Sequence, residues 1–362
     1  MKLGVVLALG ESFTDLKTKG QDQLMITQNI SSFAKSFKKV FVFTYKKEKV
    51  LLPKNVQLIV PPFNMPRYLY GLVMPLLHRK IFKDLSLIRC FQLSGVVPGI
   101  IAKLVFRTKI VFNFGYDYSA FAKIEGKPIQ ALIFSILKPI AFFFTDHILV
   151  KNKSLLPAIS HKPSAKFTYI PNGVDIKLFK PARANKKNLI VLFVGRLEPQ
   201  KNLLNLIKAV AKVKSKPQLI LIGEGSQKIT LAKLAKKLEV NLKLPGKVNY
   251  LDLPKHYHRA ALFVLPSIKE GSPKALLEAM ASQRACIASN IAENREIITH
   301  RQNGLLSANS TASFAKNINL LLRSASLRQQ LANSARKTVV SKFSVKKIMD
   351  QELKVLNQVA NK

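Results

Sequence analysis

FVLPSIKEGSPKALLEAMASQ, residues 263–283, passes from a short apolar run through a polar loop into a strongly helix-forming segment. Leu262–Leu265 has the continuous apolar character of a strand buried on both faces, as in a parallel sheet. Glu270, Gly271, Ser272 and Pro273 follow, and Lys274 to Ser282 is rich in Ala, Leu, Glu and Met, all strong helix formers. Ser272 is expected as the N-cap and Pro273 as the first helical residue, where its missing N–H does no harm. A capping box would need Glu or Gln three residues after the cap, but Ala275 stands there. The helix start is therefore expected to keep unsatisfied N–H groups and the positive end of its dipole, a natural seat for a nucleotide phosphate. Glu270 sits before the helix and Glu278 about five residues into it, roughly 7.5 Å along the axis. That spacing suits one carboxylate facing a sugar and another accepting from polyol hydroxyls deeper in a nucleotide. The plain alternative is one Glu that favours the helix dipole and one on the helix surface.

Moving upstream, LFVGRLEPQKNLLNLIKAV (residues 192–210) places Gly195, Arg196 and Lys201 after another apolar run and before an amphipathic helix. Loops at the carboxyl ends of parallel strands are where doubly wound folds bind ligands, and two cations there suit a diphosphate. Solvated loop charges are the alternative for an Arg and a Lys taken alone.

The same cadence extends in both directions. Leu3–Leu9, Val40–Thr44, Val56–Val60, Leu87–Gln92, Lys109–Phe114 and His147–Val150 are predicted strands, separated by helical segments such as Leu24–Phe37. Leu189–Val194, Gln218–Ile222, Leu262–Leu265, Ala285–Ser289 and Gly304–Leu306 continue the strands, with helices over Leu203–Val213 and Gln227–Leu238. Ile129–Val150 is apolar enough to suggest a membrane span, but Lys138, Pro139 and Asp146 fall inside it, and a buried helix followed by a strand explains them better. The N-terminal run MKLGVVLALGES is short for a signal peptide and is predicted to be a buried strand ending at Gly10. The polar stretch ARANKKN, after Pro181, is the expected linker.

The chain has 362 residues, which favours two domains over one. Its two cysteines, Cys90 and Cys286, lie far apart in apolar runs and are expected as buried free thiols. A net charge of +40 calls for an anionic partner. The lysines are spread through both halves, and no finger, RNP or basic-zipper pattern occurs, so nucleic acid is not expected. An anionic membrane surface, phosphorylated ligands, or a general bias toward Lys each account for the excess. Tyr68–Leu77 and Gly95–Phe106, apolar and interleaved with basic residues, are either core helices or a contact with the inner face of a membrane.

Five segments in order resemble glycosyltransferase family 4: IPNGVD (170–175), VGRLEPQKN (194–202), IGEG (222–225), EGSPKALLEAMA (270–281) and NREIITHRQNGLL (294–306). The resemblance implies an α/β GT-B fold, two Rossmann-like doubly wound domains facing a central cleft. It implies an acceptor-binding domain over 1–170, a nucleotide-sugar-binding domain over 171–340, and a C-terminal helix over 341–362 crossing back to the first. It further implies a cytoplasmic retaining hexosyltransferase, peripheral on the inner membrane face and engaged in cell-envelope polysaccharide synthesis. The donor is a UDP-, GDP- or ADP-sugar, the acceptor a glycan or lipid-linked glycan, and neither cofactor nor metal is needed. Arg196 and Lys201 would bind the diphosphate, Glu270 the transferred sugar and Glu278 the ribose, with Gly195, Gly271, Ser272, Pro273, Lys274, Ala275 and Leu276 completing the donor site. Two departures stand out: Gln283 replaces a common Gly, and Ala292-Glu293 replaces a Gly-rich turn before Glu296.

The first half matches the family more loosely. Gly10, Glu11 and Ser12, with Tyr116 and Asp117 at a predicted strand end, are the acceptor-binding expectation, with plain surface loops as the alternative. Where the family often has a His or Arg beside a Gly, this chain has Asn113-Phe114, so no catalytic histidine is assigned. His256 and His258 form a helix-surface pair without a third metal ligand. Two rivals remain: a GT-B nucleotide-sugar epimerase, and a basic membrane- or nucleic-acid-binding module carrying a relic site.

Overall fold

A computed structural model describes residues 1–18, 20–157, 166–182 and 189–361. The chain divides into two compact units, Met1–Pro171 with Ile348–Lys362, and Asn172–Lys347. The second unit runs past residue 340 because Val174 bridges Ser344 and donates its N–H to the Phe343 carbonyl. Most of the expected linker, residues 183–188, lies outside the described residues.

Each unit is built on one parallel sheet. In the first, β1 (Lys2–Val6), β2 (Lys39–Phe43), β3 (Val56–Ile59), β4 (Leu87–Cys90), β5 (Lys109–Phe114), β6 (His147–Val150) and β7 (Lys166–Tyr169) lie in the order β3-β2-β1-β4-β5-β6-β7. In the second, β8 (Ile190–Val194), β9 (Gln218–Ile222), β10 (Leu242–Gly246), β11 (Leu262–Leu265), β12 (Ala285–Ser289) and β13 (Leu305–Ser307) lie in the order β10-β9-β8-β11-β12-β13. Strand order therefore reverses between β1 and β4, and again between β8 and β11. Loops leaving neighbouring strands at such a point run to opposite faces of the sheet and open a crevice at the carboxyl ends. Both units are Rossmann-like and doubly wound, the α/β architecture expected from the sequence.

The central strands are the apolar runs legible in the sequence, and they are buried from end to end: Leu87–Cys90, Leu262–Leu265 and Ala285–Ser289 expose almost nothing. Cys90 and Cys286 are buried free thiols on two of these strands. The helix expected over Leu24–Phe37 is a continuous run from Asp22 to Ser36 with a π-helical turn at Met25–Ile30. Ile129–Val150 resolves into a helix, Pro128–Phe144, and then β6. The expectation that this helix is buried needs correction. Only Ala131, Ala141 and Phe142 are buried, because the domain covers one narrow face of it. Among the described residues no helix is long and apolar enough to cross a membrane.

Candidate functional site

At the β8/β11 reversal, the loop after β8 carries Gly195 to Asn202 and the loop after β11 carries Pro266 to Pro273. Side chains tie the two loops together. Gln200, buried, donates from Nε2 to the Lys269 carbonyl at 2.6 Å and accepts at Oε1 from the Arg196 guanidinium at 3.0 Å. Lys201 Nζ lies 2.6 Å from Glu270 Oε1, with the two side chains only 13% and 7% exposed. Ser267 donates a second hydrogen bond to the same carboxylate oxygen. A buried carboxylate needs such partners, since an isolated charge there would be strongly destabilising.

A third loop supports the first. Gly223 N–H meets the Gly246 carbonyl, while Gly195 N–H donates to Ile222 and Leu197 N–H to Glu224. A Cβ on Gly223 would fall 1.9 Å from the Gly195 carbonyl oxygen, and one on Gly225 2.4 Å from that of Leu197. The two glycines of IGEG thus let its backbone lie directly against the Gly195–Leu197 turn.

The helix after the Glu-Gly-Ser-Pro loop spans Lys274–Ala281. Its N-cap is Pro273, and no side chain caps it. The expected cap, Ser272, is engaged elsewhere: its Oγ accepts from the Asn172 N–H at 3.0 Å, and its carbonyl accepts from Asn172 Nδ2 at 2.7 Å. Asn172 of IPNGVD thereby fixes the loop that precedes the helix, a positioning role the sequence did not reveal. The first-turn N–H groups of that helix have no capping side chain, and the dipole's positive end faces the same loop.

Glu278, one turn further along, is buried and accepts from the Tyr257 hydroxyl at 2.9 Å. Burial pushes its carboxyl from an ordinary 4.5 up to about 7, against the downward pull of the Tyr257 hydrogen bond and the Lys274 charge. It is not a helix-surface glutamate. At the helix C-terminus, Gln283 takes a left-handed φ of 57°, with Gln283 N–H bonded to Met280 O and Arg284 N–H to Ala279 O. This is the Schellman arrangement, which favours Gly at that position and explains in physical terms why Gln283 is a departure. Ala292-Glu293 opens a short helix, Ala292–Arg295.

Residues expected to meet an acceptor lie at the carboxyl ends of β1 and β5 in the other unit. Ser12 is fully buried and serves its own helix, exchanging hydrogen bonds with Asp15 at 2.6 and 3.2 Å. Arg67 binds both Asp15 Oδ2 at 2.8 Å and the Gly10 carbonyl at 2.9 Å. Asp117 caps the helix Tyr118–Ile124, accepting from the N–H groups of Ser119 and Ala120, and lies 3.4 Å from Lys138. Burial would raise its carboxyl, but the Ser119 hydroxyl and Lys138 hold it below the usual range. The side chains of Ser12 and Asp117 are thus engaged in local structure, each at the start of the helix that follows its strand. Glu11 is half-buried, and Tyr116 stacks on Tyr118 with ring centres 4.1 Å apart. His258 Nε2 lies 2.8 Å from the Lys180 carbonyl. No group of three or more His, Cys, Asp or Glu among the described residues is placed to hold a metal.

The chain is similar to several known proteins. The family model described as Glycosyl transferases group 1 matches residues 174–338. An uncharacterized glycosyltransferase of Methanocaldococcus jannaschii is 30% identical over 252 residues, 64% of this chain and 63% of its own length. The UDP-Gal:alpha-D-GlcNAc-diphosphoundecaprenol alpha-1,3-galactosyltransferase of Escherichia coli is 32% identical over 210 residues, 51% of this chain and 52% of its own length. The matched region thus spans about half to just under two thirds of these relatives. Among solved structures, sucrose-phosphate synthase from Thermosynechococcus elongatus superposes over 99% of both chains, with a TM-score of 0.83 and 18% identity, a likeness of fold. The match to the Glycosyl transferases group 1 model over 174–338 takes in nearly all of the second unit, Asn172–Lys347, and with it both loops at the β8/β11 reversal.

Proposed function

We propose that the chain is a retaining, metal-independent glycosyltransferase of family 4 that moves a hexose from a nucleoside-diphosphate sugar to a glycan or lipid-linked glycan in cell-envelope polysaccharide synthesis. The observation that carries this reading is the Lys201–Glu270 pair, 2.6 Å apart, joining the two loops at the β8/β11 reversal. In this reading Arg196, Lys201 and the uncapped N–H groups of the Lys274–Ala281 helix receive the negative charge that builds on the departing diphosphate. The bond from the anomeric carbon to the diphosphate oxygen breaks with its electron pair going to that oxygen. The acceptor hydroxyl oxygen bonds to the anomeric carbon from the same face, which retains the configuration, and its O–H bond breaks with the proton passing to the departing diphosphate oxygen. Glu270, held by Lys201 and Ser267, accepts from sugar hydroxyls, and Glu278 accepts from the ribose. Gly195, Gly271, Ser272, Pro273, Lys274, Ala275 and Leu276 shape the remainder of the donor site.

Glu11 and Tyr116, with the Gly10 backbone, are assigned to the acceptor. The Escherichia coli relative, whose name gives a UDP-sugar donor and a diphosphoundecaprenol-linked acceptor, supports a UDP donor and a lipid-linked acceptor here. Such an acceptor places the work at the inner face of a membrane, on which the chain rests as a peripheral cytoplasmic protein. Binding and turnover measured across UDP-, GDP- and ADP-sugars test the reading. One class of donor is expected to bind and react, and Lys201→Ala is expected to lower turnover by about tenfold or more. Undiminished turnover in Lys201→Ala refutes the assignment.

A further inference from the structure

In the first unit, the helix Pro128–Phe144 has its apolar residues on the wrong side for a core helix. Ile129, Leu132, Ile133, Ile136, Ile140 and Phe143 are between 41% and 74% exposed. Their spacing of three, one, three, four and three residues keeps them on one stripe of the helix. Pro139 is exposed on the same stripe, and the one charged residue within the helix, Lys138, turns to the opposite side to meet Asp117. The stripe is continuous and wholly apolar, far beyond the scattered exposed Leu or Ile of an ordinary surface.

It also has apolar company. The helix Val96–Phe106 packs against both Pro128–Phe144 and Arg67–Leu77. Leu104 and Val105 are exposed on Val96–Phe106, and Tyr68, Leu69, Leu72 and Leu76 on Arg67–Leu77. Around these apolar faces cations are in excess, although Arg67, Lys103, Lys127 and Lys138 each pair with a carboxylate from a neighbouring segment, Asp15, Asp146, Glu125 and Asp117. Segments 66–83, 96–109 and 127–144 contain Arg67, Arg79, Lys80, Lys83, Lys103, Arg107, Lys109, Lys127 and Lys138 and no Asp or Glu.

We propose that the outward face of the helix Pro128–Phe144 is a membrane-docking surface that lies in the interface of an anionic bilayer. This deepens the membrane contact in the proposed function by assigning it to a surface, and its chemistry stands apart from the donor site. An apolar stripe flanked by cations is the pattern of helices that sink about 5–10 Å into the headgroup and acyl boundary. Charge selects the occupant: a second copy would bring the same basic segments, in a chain of net charge +40, against one another. Anionic headgroups instead neutralise Lys and Arg around the patch. The helix rests on the surface and does not span it. Its 17 residues reach about 25 Å at ~1.5 Å each, short of a ~30 Å hydrocarbon core, and its opposite side is packed on the domain.

The test uses the full chain with vesicles of phosphatidylcholine alone or mixed equally with phosphatidylglycerol, read by flotation. Wild-type protein is expected to float with the anionic vesicles and far less with the neutral ones. Ile133→Glu combined with Ile136→Glu is expected to weaken anionic-vesicle binding by about tenfold or more, since carboxylates at these positions resist transfer into the interface. Because both positions are exposed, the variant's melting temperature and its nucleotide-sugar binding are expected to match those of the wild type. Equal vesicle binding by variant and wild type overturns the proposal, as does wild-type protein that fails to float. A wild-type dimer that the variant abolishes, without vesicle binding, overturns it in favour of self-association. Vesicle binding without binding of any nucleotide sugar leaves this surface standing and sinks the glycosyltransferase reading instead.

Discussion

Both sheets reverse strand order at one point, between β1 and β4 and between β8 and β11, yet their loops put polar residues to opposite uses. At the second reversal a cation and a carboxylate are held buried against each other, a helix start is left uncapped, and a second carboxylate is kept part-protonated by burial. In the first unit the residues with similar promise serve the fold, Ser12 and Asp117 as caps and Arg67 as a brace across Asp15 and the Gly10 carbonyl. The difference teaches that position at a strand's carboxyl end makes a loop residue eligible for chemistry, while its hydrogen-bond partners decide whether it is available.

The sharpest way to break this contrast lies in the first unit, where one charged cluster is wholly structural. Glu352 lies 2.8 Å from Arg89 and 3.7 Å from Lys151, all three nearly inaccessible. Burial alone would raise the Glu352 carboxyl, but the two cations hold it below the usual range. Glu352→Ala is expected to destabilise the protein by about 3–5 kcal/mol in chemical denaturation, because it removes the buried carboxylate that both cations face. A loss under about 1 kcal/mol would show that the cluster is hydrated and the contrast overstated.

Next comes Glu278, whose carboxyl titrates near 7. A carboxyl that is more basic when folded favours folding in its protonated form. Its contribution, on the order of 3 kcal/mol, is therefore fully present below about 4.5 and is lost as pH rises to about 7. Ribose hydroxyls donate better to the ionised form, so donor affinity should rise as pH passes upward through 7. Calorimetric titration of wild type and Glu278→Gln checks both trends, and both should flatten in the variant. A wild-type affinity that does not change with pH removes Glu278 from the ribose.

Asp117→Ala gives a smaller effect, about 1 kcal/mol of stability from the lost cap, with donor affinity unchanged. A change in donor affinity would return Asp117 to the chemistry. Smallest is Gln283→Gly, expected to raise the melting midpoint by the equivalent of about 0.5–1 kcal/mol by relieving the left-handed backbone. No gain would mean that the Gln283 hydrogen bond to Asn333 offsets the strain.

Much of this was legible in the sequence, and the gaps have physical causes. The central strands announced themselves as apolar runs because parallel strands covered on both faces must be apolar throughout. The two strands that went unpredicted, Lys166–Tyr169 and Leu242–Gly246, are edge strands, half-exposed and carrying Lys or Pro, so they lack that signature. Arg196, Lys201, Glu270 and Glu278 were legible from motif order, but their pairing was not. Lys201 and Glu270 are 69 residues apart in the chain, and only the sheet order brings them together. Ser272 looked like a cap because local sequence ranks it so, but Asn172, distant in the chain, took its hydroxyl. The exposed stripe on Pro128–Phe144 escaped because apolarity alone does not tell which way a helix faces.

The last helix, Val345–Ala360, supplies Glu352 to a unit whose other strands and helices are complete by Pro171. The second unit, by contrast, is one uninterrupted segment of chain. On the ribosome, where domains ordinarily mature in the order they are made, this protein inverts the sequence. The unit begun first is finished last: Glu352 reaches Arg89 and Lys151 only after the whole of the second unit has been made.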